Sequence, residues 1–92
     1  MEKYNFIVSG TVQGVGFRYF VLNSAKKLDI YGQVWNNDDG TVEILAQGTS
    51  SNLTKFESEI RQGPKLSPFA KVTYLDKKTA NFKDFTDFTV TY

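Results

Sequence analysis

The apolar residues of this chain change period at Phe17, and that change restricts the fold more than any other feature. Before it, in "YNFIVSGTV", Tyr4, Phe6, Val8 and Val12 alternate with Asn5, Ser9 and Thr11, as in a strand with one buried face. After it, Phe17, Phe20, Val21, Ser24, Ala25 and Leu28 recur at i, i+3 and i+4, the stripe of an amphipathic helix. "GQVWN" reads as a short second strand, and "NNDDG" as a turn of residues that tolerate left-handed backbone. In "TVEILAQ", Val42, Ile44 and Ala46 alternate with Thr41, Glu43 and Gln47, which predicts a third strand joined to the second as a hairpin. "TSSNLTKFESEIRQGP" predicts a second helix, capped by Ser50 or Ser51, with Leu53, Phe56 and Ile60 facing the core and Gly63-Pro64 as its stop. "AKVTYLD" and "FTDFTVTY" predict two more strands, the latter with Phe88, Val90 and Tyr92 on one face. "KKTANFKD" between them reads as a polar connection. The order β-α-β-β-α-β-β predicts an α+β fold, a ferredoxin-like α/β sandwich with two helices on one face of a mostly antiparallel sheet.

Ninety-two residues, 40% of them hydrophobic, suffice for one core, so a single domain over 1–92 is expected. Eleven basic and ten acidic residues leave a net charge of +1 with no basic block, which argues against a nucleic-acid partner. The chain has no cysteine and no histidine, hence no disulfide, no thiolate and no imidazole base or metal ligand. "MEKYNF" is not a signal peptide and no apolar run reaches membrane-spanning length, so a cytoplasmic protein without membrane partners is expected.

Only two arginines occur, and one closes "VQGVGFR", where the first strand gives way to the first helix. Gly14 and Gly16 permit positive φ and close approach by a ligand. A helix start offers unpaired N–H groups and the positive end of the dipole, to which Arg18 adds a planar cation suited to phosphate or carboxylate. A cation there is mildly unfavourable for the helix itself, whereas an anionic ligand would account for it. A bare tight turn with a solvated arginine remains the simpler reading of the stretch alone. It matches neither the dinucleotide fingerprint nor the P-loop. In "GQVWNNDDGTVE", Asn36 shares the parity of Val34, so if Val34 faces the helices, Asn36 points to the side where the first helix begins.

Together, "GTVQGVGFRYF" and "GQVWNNDDGTVE" resemble the acylphosphatase family, with its motifs G-x-V-Q-G-V-x-F-R and G-x-V-x-N-x-x-D-G-x-V-E. The similarity extends through "AQG" at 46–48, "GP" at 63–64 and the closing "F-x-V-x-Y". The resemblance implies hydrolysis of the carboxyl–phosphate bond of acyl phosphates, giving a carboxylate and inorganic phosphate, without metal or cofactor. It further implies that Arg18 binds the phosphoryl group together with backbone amides of Gly14, Val15, Gly16, Phe17 and Arg18, and that Asn36 positions the attacking water. Inorganic phosphate would be product and inhibitor, and a monomer is expected. Two departures stand out: Asp29 where the family often has glycine, and Trp35 where a basic residue is frequent.

The chemistry is consistent with the missing histidine. The leaving carboxylate has a conjugate-acid pKa of roughly 4–5, so it departs as an anion without a general acid. Phosphoryl transfer is chiefly positioning and charge stabilisation, which amides, one arginine and one water-orienting amide side chain can supply. Asp38, Asp39 and Glu43 are alternative bases. A single-strand RNA binder shares the element order but needs aromatic residues on the open sheet face. The requirement falls on the first and third strands, and if Phe6 and Val42 face the helices, the open-face residues of those two strands are Asn5, Ile7, Ser9, Thr11, Glu43 and Leu45, none aromatic. The other alternative is a non-catalytic regulatory module binding phosphate or carbamoyl phosphate; domains resembling acylphosphatase also occur within larger hydrogenase-maturation proteins, where they handle carbamoyl phosphate. A non-catalytic module would have no use for a water-positioning Asn36.

Overall fold

The computed structural model describes residues 1–65 and 67–92. The elements are β1 (Glu2–Thr11), α1 (Phe17–Lys27), β2 (Tyr31–Asn36), β3 (Val42–Gly48), α2 (Ser50–Gln62), β4 (Lys71–Thr79) and β5 (Phe88–Val90). The strands form one sheet in the order β4-β1-β3-β2-β5. All pairings are antiparallel except that of β2 with β5. The architecture is the expected ferredoxin-like sandwich.

Register explains which face the helices cover. Phe6 lies opposite Ile44, Val8 opposite both Val42 and Leu75, and Val34 opposite Ile44. Directly opposed residues share a face, and all of these are buried. Val21 and Ala25 of α1 and Leu53, Phe56 and Ile60 of α2 close the other side of the same core. Phe56 sits between Phe6 and Phe88 with ring centroids 6.2 and 6.4 Å away. Full burial of such a ring stabilises by about 1.5–3 kcal/mol. Asn5, Ile7, Ser9, Glu43 and Leu45, of opposite parity, occupy the uncovered face and are half-buried.

Three boundaries differ from expectation. The cap of α2 is Thr49, not Ser50 or Ser51: its Oγ1 accepts the Asn52 N–H at 3.2 Å, and the two serines are already helical. Strand β3 ends at Gly48, so Thr49 is the first hydroxyl the turning chain meets. Strand β4 runs to Thr79 and takes in part of the expected polar connection. Its lysines belong to an edge strand, where charge discourages further pairing. Lys77 lies over the Tyr4 ring at 4.4 Å and reaches Glu57 of α2 at 2.8 Å, so its stem packs while its charge is paired. Strand β5 spans three residues only, and Tyr92 lies beyond it, exposed.

The segment from 80 to 87 has no regular structure but is tied down. Lys3 donates to the Phe82 carbonyl, pairs with Asp84 at 2.8 Å and lies over the Phe82 ring, while Phe85 N–H donates to Gln47. Asp29 follows α1 with φ 53°, and it is the only non-glycine in the left-handed region among the described residues. That conformation is the physical reason a glycine would suit the position, and aspartate is among the few residues that tolerate it.

Candidate active site

The loop between β1 and α1 is shaped by two left-handed residues, Gly14 (φ 73°) and Gly16 (φ 75°). A Cβ at either would meet no protein atom within 4 Å, so backbone conformation, not crowding, calls for glycine here. Gly16 is the N-cap of α1 and no side chain caps this helix; its first turn holds no acidic residue. From Gly14 to Tyr19 no backbone N–H donates to a carbonyl among the described residues. The first to do so is Phe20, to Gly16 at 3.1 Å. The start of α1 therefore carries unpaired donors and the positive end of the dipole, with Arg18 in the same turn.

Arg18 does not swing freely. Its Nη1 donates to the Thr91 carbonyl at 3.1 Å, and the guanidinium lies 4.6 Å from the centroid of the Tyr92 ring. The neighbouring Tyr19 phenol, ahead of the smaller effect of burial, raises the pKa of Tyr92. Most of the guanidinium's donors are left for another partner.

Asn36 enters from the far side. As the last residue of β2 it pairs with Val42 and shares the parity of buried Val34. Its Oδ1 is buried without a hydrogen-bond partner among the described residues, a costly arrangement unless something else satisfies it. Val12, Gly14, Gly16, Phe17, Arg18, Tyr19 and Asn36 line one cleft of about 230 Å³. Of the residues singled out in the sequence, Gly14, Gly16, Phe17, Arg18 and Asn36 thus come together, whereas the Val15 side chain turns away to pack on the core.

Two of the three alternative bases in the hairpin, Asp39 and Glu43, are engaged elsewhere. Asp39 accepts both the hydroxyl and the N–H of Thr41, which holds its carboxyl below the usual range. Glu43 accepts from Asn5 at 2.8 Å and Asn37 at 3.0 Å. Asn37 also accepts from Trp35 Nε1 at 2.9 Å, so the unusual Trp35 is anchored in the same network.

One participant went unassigned in the sequence. Gln13 donates to the carbonyls of Asn37 and Thr41, at 2.8 and 2.9 Å, and so straps the glycine loop to the β2–β3 turn. Its place inside the first motif was the available signal. Tyr92 likewise had only its place in the closing motif, and Thr91 had no signal, the two lying 74 and 73 residues from Arg18 along the chain.

Fold and cleft together define a ferredoxin-like sandwich with a donor-rich cleft at the start of its first helix. The sequence model described as Acylphosphatase matches residues 4–90. An acylphosphatase of Lactococcus lactis subsp. lactis (strain IL1403) is 57% identical over 97 aligned positions, covering the whole of both chains. The crystal structure of acylphosphatase from Bacillus subtilis superposes with a TM-score of 0.92 at 43% identity, again over the whole of both chains. Full-length HypF in its phosphate- and nucleotide-bound form matches with a TM-score of 0.87 at 30% identity, over 99% of this chain and 12% of that one. The chain belongs to the acylphosphatase family, a family of hydrolases. Among the described residues no helix is long and apolar enough to cross a membrane.

Proposed function

We propose that this chain hydrolyses acyl phosphates to a carboxylate and inorganic phosphate, with Arg18 and the loop amides binding the phosphoryl group and Asn36 orienting the water. The observation that carries this reading is the convergence of unpaired helix-start donors, Arg18 and the unpartnered Asn36 Oδ1 on one cleft. The donors of residues 14 to 18 and the arginine fork stabilise the phosphoryl oxygens in a site already arranged before substrate arrives. Asn36 Oδ1 accepts a hydrogen bond from water and so turns its lone pair toward phosphorus. The released proton passes to a phosphate oxygen, and the carboxylate leaves unprotonated. No metal or cofactor enters this scheme. A monomer suffices, since every group comes from one chain, and a cysteine-free chain of this kind suits the cytoplasm. Phosphate is both product and competitive inhibitor.

The test compares turnover of benzoyl phosphate with that of an alkyl phosphate monoester, in the presence of a chelator. The anhydride should turn over far faster, and the chelator should change nothing. Equal rates on both would refute the leaving-group argument, and loss of turnover with chelator would refute the metal-free scheme. Arg18→Ala should weaken phosphate inhibition and turnover together, and Arg18→Lys should rescue poorly because a point charge cannot replace the planar fork.

A further inference from the structure

Beside the cleft lies a larger groove, formed by two adjoining hollows of about 480 and 410 Å³ between α1 and the end of α2. Gly16 and Tyr19 line both the cleft and this groove, whereas Asn36 lines the cleft alone. From these relations we infer that the groove is the acyl-group subsite, and that Lys27 and Lys65 select an acyl phosphate carrying a carboxylate at the far end of its acyl group. The inference rests on the function proposed above.

Direction is set by the reaction. Attacking and leaving oxygens lie roughly in line through phosphorus. With water held on the Asn36 side, the carboxylate departs on the opposite side, past Gly16 and Tyr19. Gly16, Phe20, Asn23 and Lys27 follow at i, i+4, i+7 and i+11, one continuous stripe of α1 that forms a wall of the groove. That stripe is about 16 Å long at the helical rise. Side chains on a helix lean toward its N-terminus, so the Lys27 stem reaches back toward the phosphate cradle. Phe20 offers a partly buried aromatic surface for the body of an acyl group.

Charge decides the far end. Lys27 pairs with Glu59 at 2.8 Å. That hydrogen bond, opposed by burial and aided by the nearby Lys65 charge, keeps the Glu59 carboxyl below its ordinary range and therefore ionised. Two ammonium groups against one carboxylate leave one positive charge in excess. A neutral acyl group leaves that excess unused, and a cationic one meets repulsion.

Three rigid probes separate these cases: benzoyl phosphates bearing a para carboxylate, methyl or aminomethyl group. Each kcat/KM is divided by the probe's uncatalysed hydrolysis rate to remove leaving-group effects. The carboxylate should be preferred over methyl, and methyl over the ammonium form. Lys65→Glu should lower the carboxylate-to-methyl ratio about fivefold, the upper end for an exposed charge pair. It should leave methyl turnover and phosphate inhibition unchanged. Lys27→Gln, which also releases Glu59, should act in the same direction. Lys83→Glu changes net charge equally but lies beside the Lys3 end of β1, remote from the cradle, and should leave the ratio alone. Salt at ~1 M, with a Debye length of about 3 Å, should erase the preference. A ratio that Lys65→Glu and Lys27→Gln leave unchanged, or that Lys83→Glu lowers equally, overturns the subsite while the hydrolase reading stands. No turnover of the methyl probe overturns that reading, and the subsite with it.

Discussion

Asn36 and Asn37 are chemically identical neighbours that leave the end of β2 on opposite sides, as side chains of successive strand residues do. Asn36 carries a buried, unpartnered Oδ1 into the cleft, while Asn37 bonds Trp35, Thr41 and Glu43. Their alanine variants should therefore diverge in both activity and stability. Asn36→Ala should lower kcat by roughly a hundredfold or more, the scale for losing one water-orienting or charge-stabilising group. It should keep phosphate inhibition, because Arg18 and the glycine loop are untouched. It should also leave Tm unchanged or slightly raised, since it removes a polar atom that folding buries without a partner. Asn37→Ala should keep kcat within about twofold but lower stability by about 1 kcal/mol for each hydrogen bond left unmade. Measuring kcat, phosphate inhibition and Tm on both variants decides the matter. Loss of turnover in Asn37→Ala with none in Asn36→Ala would assign the chemistry to the wrong side of the sheet.

At the scale of elements, the distinction between Thr49 and the serines after it is open to the same kind of test. Thr49→Ala should cost about 1 kcal/mol, the usual loss for an N-cap, while Ser51→Ala, inside the helix, should lie within a few tenths of zero or be stabilising. Thermal unfolding of the two variants reads the difference; equal losses would place the cap elsewhere. The serines drew attention in the sequence because three adjacent hydroxyl residues satisfy the same cap rule, and only the length of β3 chooses among them. The elements themselves were legible because Phe6, Val8, Phe17, Val21, Phe56 and Ile60 keep strict periods. The end of β4 was not, because Lys77 and Lys78 are paired by a neighbouring strand and helix that local sequence does not reveal. The cleft divides similarly. Positions for Arg18 and Asn36 could be read from a loop, a helix start and a strand parity. The Gln13 strap and the Thr91 and Tyr92 contacts join residues 24 to 74 positions apart, so motif membership could mark Gln13 and Tyr92 but only the closed fold reveals their partners.

Across the whole molecule, three ion pairs join segments that the core also holds close. Glu57 of α2 reaches Lys77 of β4, Glu59 of α2 reaches Lys27 of α1, and Asp84 of the last connection reaches Lys3 of β1. Burial would raise the Glu57 carboxyl, but its hydrogen bonds to Lys77 and Arg61 and their charges outweigh it and lower the pKa. Lys27 lowers Glu59, and Lys3 lowers Asp84. A carboxyl depressed in the folded state binds its proton first in the unfolded chain, so stability falls as pH falls. Unfolded values near 3.9 for Asp and 4.3 for Glu place the onset at about pH 5, with the loss continuing through the lower folded values. Lys77 behaves oppositely, because its pKa is raised, first by the hydrogen bond to Glu57. Its contribution is complete below the unfolded value of about 10.4 and is lost as pH rises through the folded one. Tm should therefore be flat between about pH 5 and 9 and fall on either side. Glu57→Gln should be less stable than wild type on the plateau and lose less on acidification, and it should also soften the alkaline limb because Lys77 loses its partner. Lys77 is exposed and Glu57 half-buried, so high salt should narrow the difference between the two proteins without abolishing it. Acid and alkaline limbs unchanged in Glu57→Gln would mean that the pairs joining α2 to β4 contribute nothing, and that packing of Phe56 against Phe6 and Phe88 alone holds α2 on the sheet.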